Sequence, residues 1–139
     1  INFLQKIKPE WSLRLGLGLM YLYSGYDIFY HPSSWLWAVP KWYAQIITSA
    51  LSLEAYLRLQ GAVEFIIGLL FLAWFSGRVG LRIASTFAML EMTGIVLFVG
   101  ISQITFRDVG LLGASIALFL ITLNLAKETP VQISSSFNN

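Results

Sequence analysis

The 139-residue sequence contains no cysteine and only one histidine. Without thiols the chain cannot by itself form disulfides, iron–sulfur clusters or zinc–thiolate sites, and one imidazole cannot supply both axial ligands of a haem. No metal site and no covalently attached cofactor is therefore expected. Any reaction must use the carboxyl or guanidinium groups of this chain or reactive groups that a partner supplies. No self-contained catalytic or redox centre is therefore predicted.

Charged residues are also scarce. They make up 12% of the chain, whereas a soluble domain carries about 25%. Hydrophobic residues make up 57%, and the mean hydropathy is +0.71. This composition excludes an ordinary soluble globular domain and predicts the lipid bilayer as the surroundings. The formal net charge of +2 is too small for a nucleic-acid interface, so no nucleic-acid partner is expected.

Long apolar segments predict the fold. A helix that crosses the hydrocarbon core needs about 20 predominantly apolar residues, and four segments meet this requirement: residues 11–29, 54–74, 79–101 and 108–125. These segments lack the charged face that helices of soluble bundles carry. We therefore predict an all-α, integral membrane, antiparallel four-helix bundle over residues 1–128, followed by a polar tail over residues 129–139.

The distribution of lysine and arginine predicts the orientation, because short cytoplasmic loops retain positive charge. Three basic residues lie on the side of the long loop between the first two spans, and six lie on the other side. The three are Lys41, Arg58 and Arg107; the six are Lys6, Lys8, Arg14, Arg78, Arg82 and Lys127. Both termini are therefore expected in the cytoplasm, with the long loop outside.

The long outer loop, residues 30–53, is rich in tryptophan and tyrosine. His31-Pro32-Ser33-Ser34 predicts a turn followed by a helix start, and Pro40 is typical of the first turn of another short helix, which should run through Ala50. Tryptophan and tyrosine are enriched at membrane interfaces. The loop could cover the helix ends or act as a lid over a substrate, and the sequence leaves both readings open.

Two glutamates, Glu64 and Glu91, lie inside predicted spans. An ionised group at the bilayer centre costs about 2.5–3.5 kcal/mol on insertion scales, so such groups usually face the protein interior. Gly61 and Gly68 flank Glu64 at the spacing of a helix-packing face. We expect both acids to lie near the midplane and point into the bundle, where they could share a proton or act as neutral hydrogen-bonding groups.

A second set of charged residues lies near the outer ends of the spans. Arg58 and Arg107 could pair with nearby acids in a structural network, or one guanidinium could bind an anionic or carbonyl-bearing ligand such as a quinone. Trp42 of the loop could then supply an aromatic surface for a flat ring. The acids of this network are Asp27, Glu54 and Asp108.

Each of the four spans carries a short motif. The first has Arg14, Gly18 and Ser24-Gly25-Tyr26; the second has the pattern G-x-x-E-x-x-x-G over residues 61–68; Arg78 and Arg82 open the third; and Phe106-Arg107-Asp108-Val109-Gly110 opens the fourth. Taken in this order, the motifs resemble the DoxX/DoxD-like family of small four-helix membrane proteins, and the resemblance covers nearly all four spans. It implies a protein of a bacterial or archaeal cell membrane, associated with other membrane subunits.

Three functions follow as alternatives. The first is a non-catalytic structural or accessory subunit of a larger respiratory or redox complex, as the resemblance implies. The second is a quinone-binding subunit of a quinone oxidoreductase such as a thiosulfate:quinone oxidoreductase, with a partner supplying the electrons. The third is a small transporter that couples to protons through Glu64 and Glu91, but the sequence has no inverted repeat to support it.

Overall fold

A computed structural model describes residues 8–102 and 105–127, with side chains described as far as residue 124, and this part of the chain contains helices and turns but no strand. Five α-helices occur: α1 (Pro9–Tyr30), α2 (Lys41–Thr48), α3 (Leu53–Leu72), α4 (Gly77–Gly94) and α5 (Phe106–Lys127). Short 3-10 helices cover Pro32–Ala38 and Trp74–Ser76, and a π-helical turn, Ile95–Val99, extends α4. The all-α prediction is confirmed for these residues. The predicted polar tail lies outside them.

Local sequence explains where several helices begin and end. Pro9 occupies the first turn of α1, where its missing N–H is not needed. The Ser52 hydroxyl accepts a hydrogen bond from the Ala55 amide and caps α3. Gly77 and Gly100 have φ angles of 59° and 85°, which glycine adopts without steric cost, and they mark the two ends of the α4 region. The short helix after Pro40 ends at Thr48, before the predicted Ala50.

The four long helices pack on one another with neighbours running antiparallel. Gln60 on α3 contacts Glu91 on α4, and Arg82 near the start of α4 donates to Thr122 near the end of α5. α1 packs against α3 and also contacts α5, which closes the arrangement. Its core includes Leu17, Phe71 and Leu118. We call the end that carries Pro32–Ala38 and α2 the loop end.

Glycines bring the backbones of α1 and α3 into direct contact. A Cβ atom added at Gly25 would lie 2.5 Å from the Phe65 backbone nitrogen, and one added at Gly61 would lie 2.7 Å from that of Phe29. At Gly68 the corresponding distance to the Leu22 nitrogen is 2.8 Å. Because these neighbours are backbone atoms, no side chain can move aside for a larger residue. The glycine spacing therefore determines how α1 lies on α3, as small residues do at membrane-helix interfaces.

Three helical segments of the described residues are long and apolar enough to cross a membrane: Leu53–Leu72, Trp74–Val99 and Phe106–Asn124. They correspond to the second, third and fourth predicted spans. α1, the predicted first span, is not among them. It has 22 residues, so its length suffices, but Glu10, Arg14, Asp27 and four tyrosines make it less apolar than the others.

Hydrogen bonds to the end of α3 explain how α1 tolerates the buried charge of Arg14. Its Nε donates to the Phe71 carbonyl and its Nη2 to the Ala73 carbonyl, both at 2.7 Å. These carbonyls belong to the end of α3, where backbone acceptors lack partners within the helix and carry partial negative charge. Nη1 also contacts Glu10 at 3.2 Å. Arg14 therefore fastens the start of α1 to the end of α3.

Candidate functional site

A cavity of about 600 Å³ lies between α1, α3, α4 and α5 and extends to the loop end of the molecule. This volume is within the range of small-molecule sites, about 300–1,000 Å³. Most of its wall is apolar and is formed by Met20, Ile28, Leu57, Met92, Ile95 and Leu111. Four exposed residues also line it, so the cavity reaches the protein surface; they are Tyr23, Trp37, Arg107 and Gly110.

Polar side chains from three helices meet at the inner end of this cavity. The Gln60 amide nitrogen donates to Glu64 Oε1 at 3.3 Å and to Glu91 Oε1 at 3.2 Å. The Ser24 hydroxyl donates to Glu64 Oε2 at 2.7 Å. Glu64 is buried, Glu91 is partly buried, and all four side chains line the cavity. We call Ser24, Gln60, Glu64 and Glu91 the inner polar cluster.

Helix periodicity explains how α3 supplies two members of this cluster. Gln60 and Glu64 are four residues apart, so their side chains lie one turn apart on the same side of the helix. Gly61 and Gly68 let α1 approach the helix closely beside Glu64, which brings Ser24 within hydrogen-bonding distance. The inner polar cluster therefore depends on the same contact that holds α1 to α3.

Tyr21 lies behind the cluster and is fully buried. Its hydroxyl lies close to Glu91. Within the described residues, however, neither this hydroxyl nor Oε2 of Glu91 has a hydrogen-bond partner. Buried polar atoms are rarely left unpaired, so such a pair calls for an explanation. The two atoms lie beside each other and are sealed from the cavity, since neither has accessible surface and Tyr21 does not line the cavity.

The loop end of the cavity is aromatic and is held by Asp27. The Trp35 indole nitrogen donates to Asp27 Oδ2 at 2.8 Å, and His31 Nδ1 lies 3.1 Å from Oδ1. The Trp35 and Trp37 rings stack with centroids 6.3 Å apart. Because Asp27 lies in the last turn of α1, these contacts attach the 3-10 helix Pro32–Ala38 to the top of α1.

The start of α5 supplies the remaining charges at this end. Arg107 is exposed and Asp108 is buried, and both line the cavity. The Asp108 amide donates to the Thr105 carbonyl at 3.0 Å. An acid in the first turn of a helix is favoured by the helix dipole, which is reason enough for Asp108 to occur there. Arg107 is the only basic side chain among the described residues that line this cavity.

A second cavity of about 310 Å³ lies on the other side of the inner polar cluster, beneath α2. Gln60 and Glu91 line both cavities. The Trp42 ring forms part of the second cavity and meets Phe98 with centroids 5.5 Å apart. Two tyrosine hydroxyls, those of Tyr43 and Tyr56, meet there at 3.3 Å.

The structure groups some of the residues that the sequence singled out and separates others. Glu64, Glu91, Asp27, Arg107 and Asp108 all line the first cavity, whereas Trp42 lines the second. Arg58 and Glu54 line neither.

Arg58 instead donates to the Phe29 carbonyl at 3.2 Å. In the described part of the chain, no ion pair joins Arg58 to Glu54 or Arg107 to Asp27. Arg58 and Arg107 therefore do not face a common ligand space.

Sequence reasoning missed Gln60, which connects the two glutamates. The available signal was its position one turn before Glu64 in an otherwise apolar segment. Trp35 was also missed as the partner of Asp27. The described residues contain no group of three or more histidine, aspartate or glutamate side chains arranged to hold a metal ion. Hydrogen bonding and proton exchange are the chemistry that the cluster itself can offer.

Comparison with known protein families, with curated proteins and with solved structures gives no match to this chain.

Proposed function

We propose that this chain is a four-helix integral membrane protein of the DoxX/DoxD-like type, which acts as an accessory subunit of a larger membrane complex and binds a small membrane-soluble ligand. The observation that carries the proposal is the 600 Å³ cavity, which has an apolar wall and a polar inner end. A ligand site of this kind combines apolar surface with a few placed polar groups.

In this proposal α1 also crosses the membrane, as the first of four spans. A helix of 22 residues is about 33 Å long at 1.5 Å per residue, which matches the hydrocarbon core. The polar groups that lower its hydropathy have partners inside the protein. Arg14 donates to carbonyls of α3, Ser24 donates to Glu64, and Asp27 accepts from Trp35. Polar groups satisfied in this way are tolerated within a membrane.

The charge distribution supports an orientation with both termini in the cytoplasm. Arg14, Arg78 and Arg82 belong to the end opposite the loop end, whereas Lys41, Arg58 and Arg107 belong to the loop end. Of the remaining basic residues, Lys6 and Lys8 come shortly before Arg14 in the sequence, and Lys127 is the last residue of α5, at the opposite end of that helix from Arg107. By the positive-inside rule the loop end is the outer one, so the cavity reaches the outer side.

A quinone is the ligand that the family resemblance implies. Arg107 at the loop end favours this candidate, because a guanidinium can donate to a carbonyl oxygen and stack on a ring. The adjacent indoles of Trp35 and Trp37 suit a flat ring as well. The electrons for any reduction would come from a partner subunit, since this sequence contains no thiol and only one imidazole.

The test is copurification with a cavity-filling variant. Gly110 lines the cavity, and a Cβ atom added there would meet nothing within 4 Å. Gly110→Leu therefore adds a side chain at the cavity wall without a clash at its Cβ, and should narrow the cavity. Gly113→Leu is the matched control, because Gly113 also has open space around it but does not line the cavity.

Protein purified in mild detergent would be extracted, and the retained small molecules and subunits identified by mass spectrometry. We expect wild type and Gly113→Leu to retain the same apolar small molecule, and Gly110→Leu to lose it. If all three retain the same molecules, the cavity is not the binding site. If none retains a small molecule or a partner subunit, the proposed function is wrong.

A further inference from the structure

The first cavity opens on the side of the bundle as well as at the loop end. Of the four exposed residues that line it, Trp37 lies in the 3-10 helix at the loop end and Arg107 lies at the start of α5. The other two, Tyr23 and Gly110, lie further along α1 and α5. Because α1 and α5 pack as neighbours, this second opening lies in the groove between the two helices. We call it the side opening.

The side opening lies at the depth of the lipid chains. α1 ends at Tyr30 and α5 begins at Phe106, both at the loop end. At 1.5 Å per residue, Tyr23 lies about 10 Å from the end of α1 and Gly110 lies about 6 Å from the start of α5. Half of the hydrocarbon core is about 15 Å thick. In the orientation proposed above, both residues therefore face the acyl chains of the outer leaflet rather than the headgroups.

The described part of the chain covers little of the side opening. A Cβ atom added at Gly110 would meet nothing within 4 Å, so the α5 edge of the opening is bare backbone. The Tyr23 side chain, on the α1 edge, is 74% exposed and therefore packs little against the rest of the protein. Toward the other end of the bundle, Leu17 of α1 and Leu118 of α5 are both buried in the core. The opening is therefore confined to the outer parts of the two helices.

We propose that the ligand of this cavity is an uncharged, chain-bearing amphiphile whose head group lies in the cavity and whose chain leaves through the side opening into the outer leaflet. The inference rests on the proposed ligand site and on α1 crossing the membrane, and it names the class of ligand. Only the head group then has to fit the cavity of about 600 Å³. A molecule that arrives through the hydrocarbon carries no charge, because a charge there is costly.

The residues near the side opening suit such a molecule. Met20 on α1 and Leu111 on α5 are the lining residues of these two helices that lie farthest from the loop end, and both offer apolar surface to the first part of the chain. The head group lies between the inner polar cluster and Arg107, which offer hydrogen bonds at the two ends of the cavity. Because the chain continues into lipid, its length is not limited by the volume of the cavity.

The experiment blocks each opening separately, which is possible because the chain has no native cysteine. Tyr23→Cys would carry a bulky label at the side opening, and Trp37→Cys would carry the same label at the loop end. Tyr26→Cys is the matched control, because Tyr26 is exposed on the same helix but lines neither cavity. Each purified full-length variant would be modified with N-benzylmaleimide in detergent, checked by mass spectrometry and reconstituted into lipid nanodiscs, with the unmodified variant as its reference.

Two probes with the same benzoquinone ring, one with a short alkyl chain and one with a long chain, separate the head group from the chain. Their dissociation constants would be measured from the saturable quenching of tryptophan fluorescence, to which Trp35 in the cavity wall contributes. The label at Tyr23→Cys should weaken binding of the long-chain probe by about tenfold or more and of the short-chain probe by less than about threefold, because label and chain cannot share the groove. Labels at Trp37→Cys and Tyr26→Cys should change either constant by less than about twofold.

The outcomes separate this inference from the proposed function. Weaker binding of the long-chain probe after labelling at Trp37→Cys, but not at Tyr23→Cys, would place the chain at the loop end and overturn the inference. Equal effects of the Tyr23→Cys label on both probes, or no effect on either, would overturn it as well. If neither quinone binds but wild type retains a molecule that Gly110→Leu loses, the ligand site stands, and a retained molecule that is charged or has no chain overturns the inference. If no probe binds and no molecule is retained, the ligand site itself is wrong.

Discussion

Glu64 on α3 and Glu91 on α4 are joined through one amide group, that of Gln60, whose nitrogen lies 3.3 Å from an oxygen of the first and 3.2 Å from an oxygen of the second. Two carboxylates so close in an apolar region would repel each other strongly. A single amide nitrogen has two hydrogens, enough for one bond to each acid. The pair is therefore built to hold fewer than two negative charges, which is the basis for the first prediction.

Glu64→Gln should preserve the fold. The glutamine oxygen can accept from Ser24 as Glu64 Oε2 does at 2.7 Å, whereas its amide nitrogen replaces Oε1 and loses the bond from Gln60. The free energy of unfolding should therefore fall by only about 0.5–1.5 kcal/mol. Glu64→Leu, which removes the acceptors of both Ser24 and Gln60, should lower it by about 1–3 kcal/mol. The stability of each variant would be measured by thermal unfolding in detergent and by the amount of protein that accumulates in membranes. Loss of the glutamine variant from membranes would mean that the protein needs an ionised Glu64.

Gly25→Ala should loosen α1 from α3. The new Cβ would lie 2.5 Å from the Phe65 backbone nitrogen and 2.6 Å from the Gly61 carbonyl oxygen, so the helices would have to separate. A loss of about 1–3 kcal/mol in unfolding free energy is expected for overpacking of this kind. Gly16→Ala on the same helix is the control, since nothing lies within 4 Å of its added Cβ. Equal unfolding temperatures for the two variants would contradict the close approach.

Arg14→Gln should destabilise the protein by about 1.5–3 kcal/mol, because the charged hydrogen bonds to the Phe71 and Ala73 carbonyls are lost. Arg58→Gln is the comparison. Its side chain is exposed and makes one longer bond, to the Phe29 carbonyl at 3.2 Å, so less than about 1 kcal/mol is expected. Denaturation of the two variants under the same conditions would measure the loss of unfolding free energy in each. A harmless Arg14→Gln would mean that α1 is held by packing alone.

The orientation can be tested by cysteine labelling, since the chain has no native cysteine. Ser34→Cys, in the exposed part of the 3-10 helix at the loop end, should react with an impermeant maleimide added outside intact cells. Phe75→Cys, between α3 and α4 and 80% exposed, should react only after permeabilisation. The opposite pattern would reverse the proposed topology, and labelling of both in intact cells would exclude a transmembrane α3.

Asp27 should be coupled to Trp35 and independent of Arg107. The Trp35 indole nitrogen donates to Asp27 at 2.8 Å, and within the described residues no ion pair joins Asp27 to Arg107. In a double-mutant cycle, Asp27→Asn with Trp35→Phe should show an interaction energy of about 0.5–3 kcal/mol, whereas Asp27→Asn with Arg107→Gln should be additive within about 0.5 kcal/mol. Coupling to Arg107 instead would restore the charge network that the sequence suggested.

The sequence alone determined the helical class and three of the membrane-competent segments, because long apolar runs need no tertiary information to be recognised. It also indicated that Gly61, Glu64 and Gly68 share one face of a helix, since that follows from the helical period. For α1 the mean hydropathy was a weaker predictor of a membrane span, because the helix contains more polar residues. Arg14 donates to the Phe71 carbonyl, which lies 57 residues further along the chain. Asp27 accepts from Trp35, which lies in the loop that follows α1.

Only the tertiary structure decided which of the candidate residues meet. Helical period gives the face of each helix but not its rotation, depth or neighbours. Here the direct backbone contact at Gly25 and Gly61 sets the depth of α1 on α3 and brings Ser24 to Glu64. The pairing of α3 with α4 then brings Gln60 to Glu91, while Arg58 donates to the Phe29 carbonyl and does not line the cavity that Arg107 lines. Contacts between helices, which no local pattern encodes, produced the cavity and its acidic inner end.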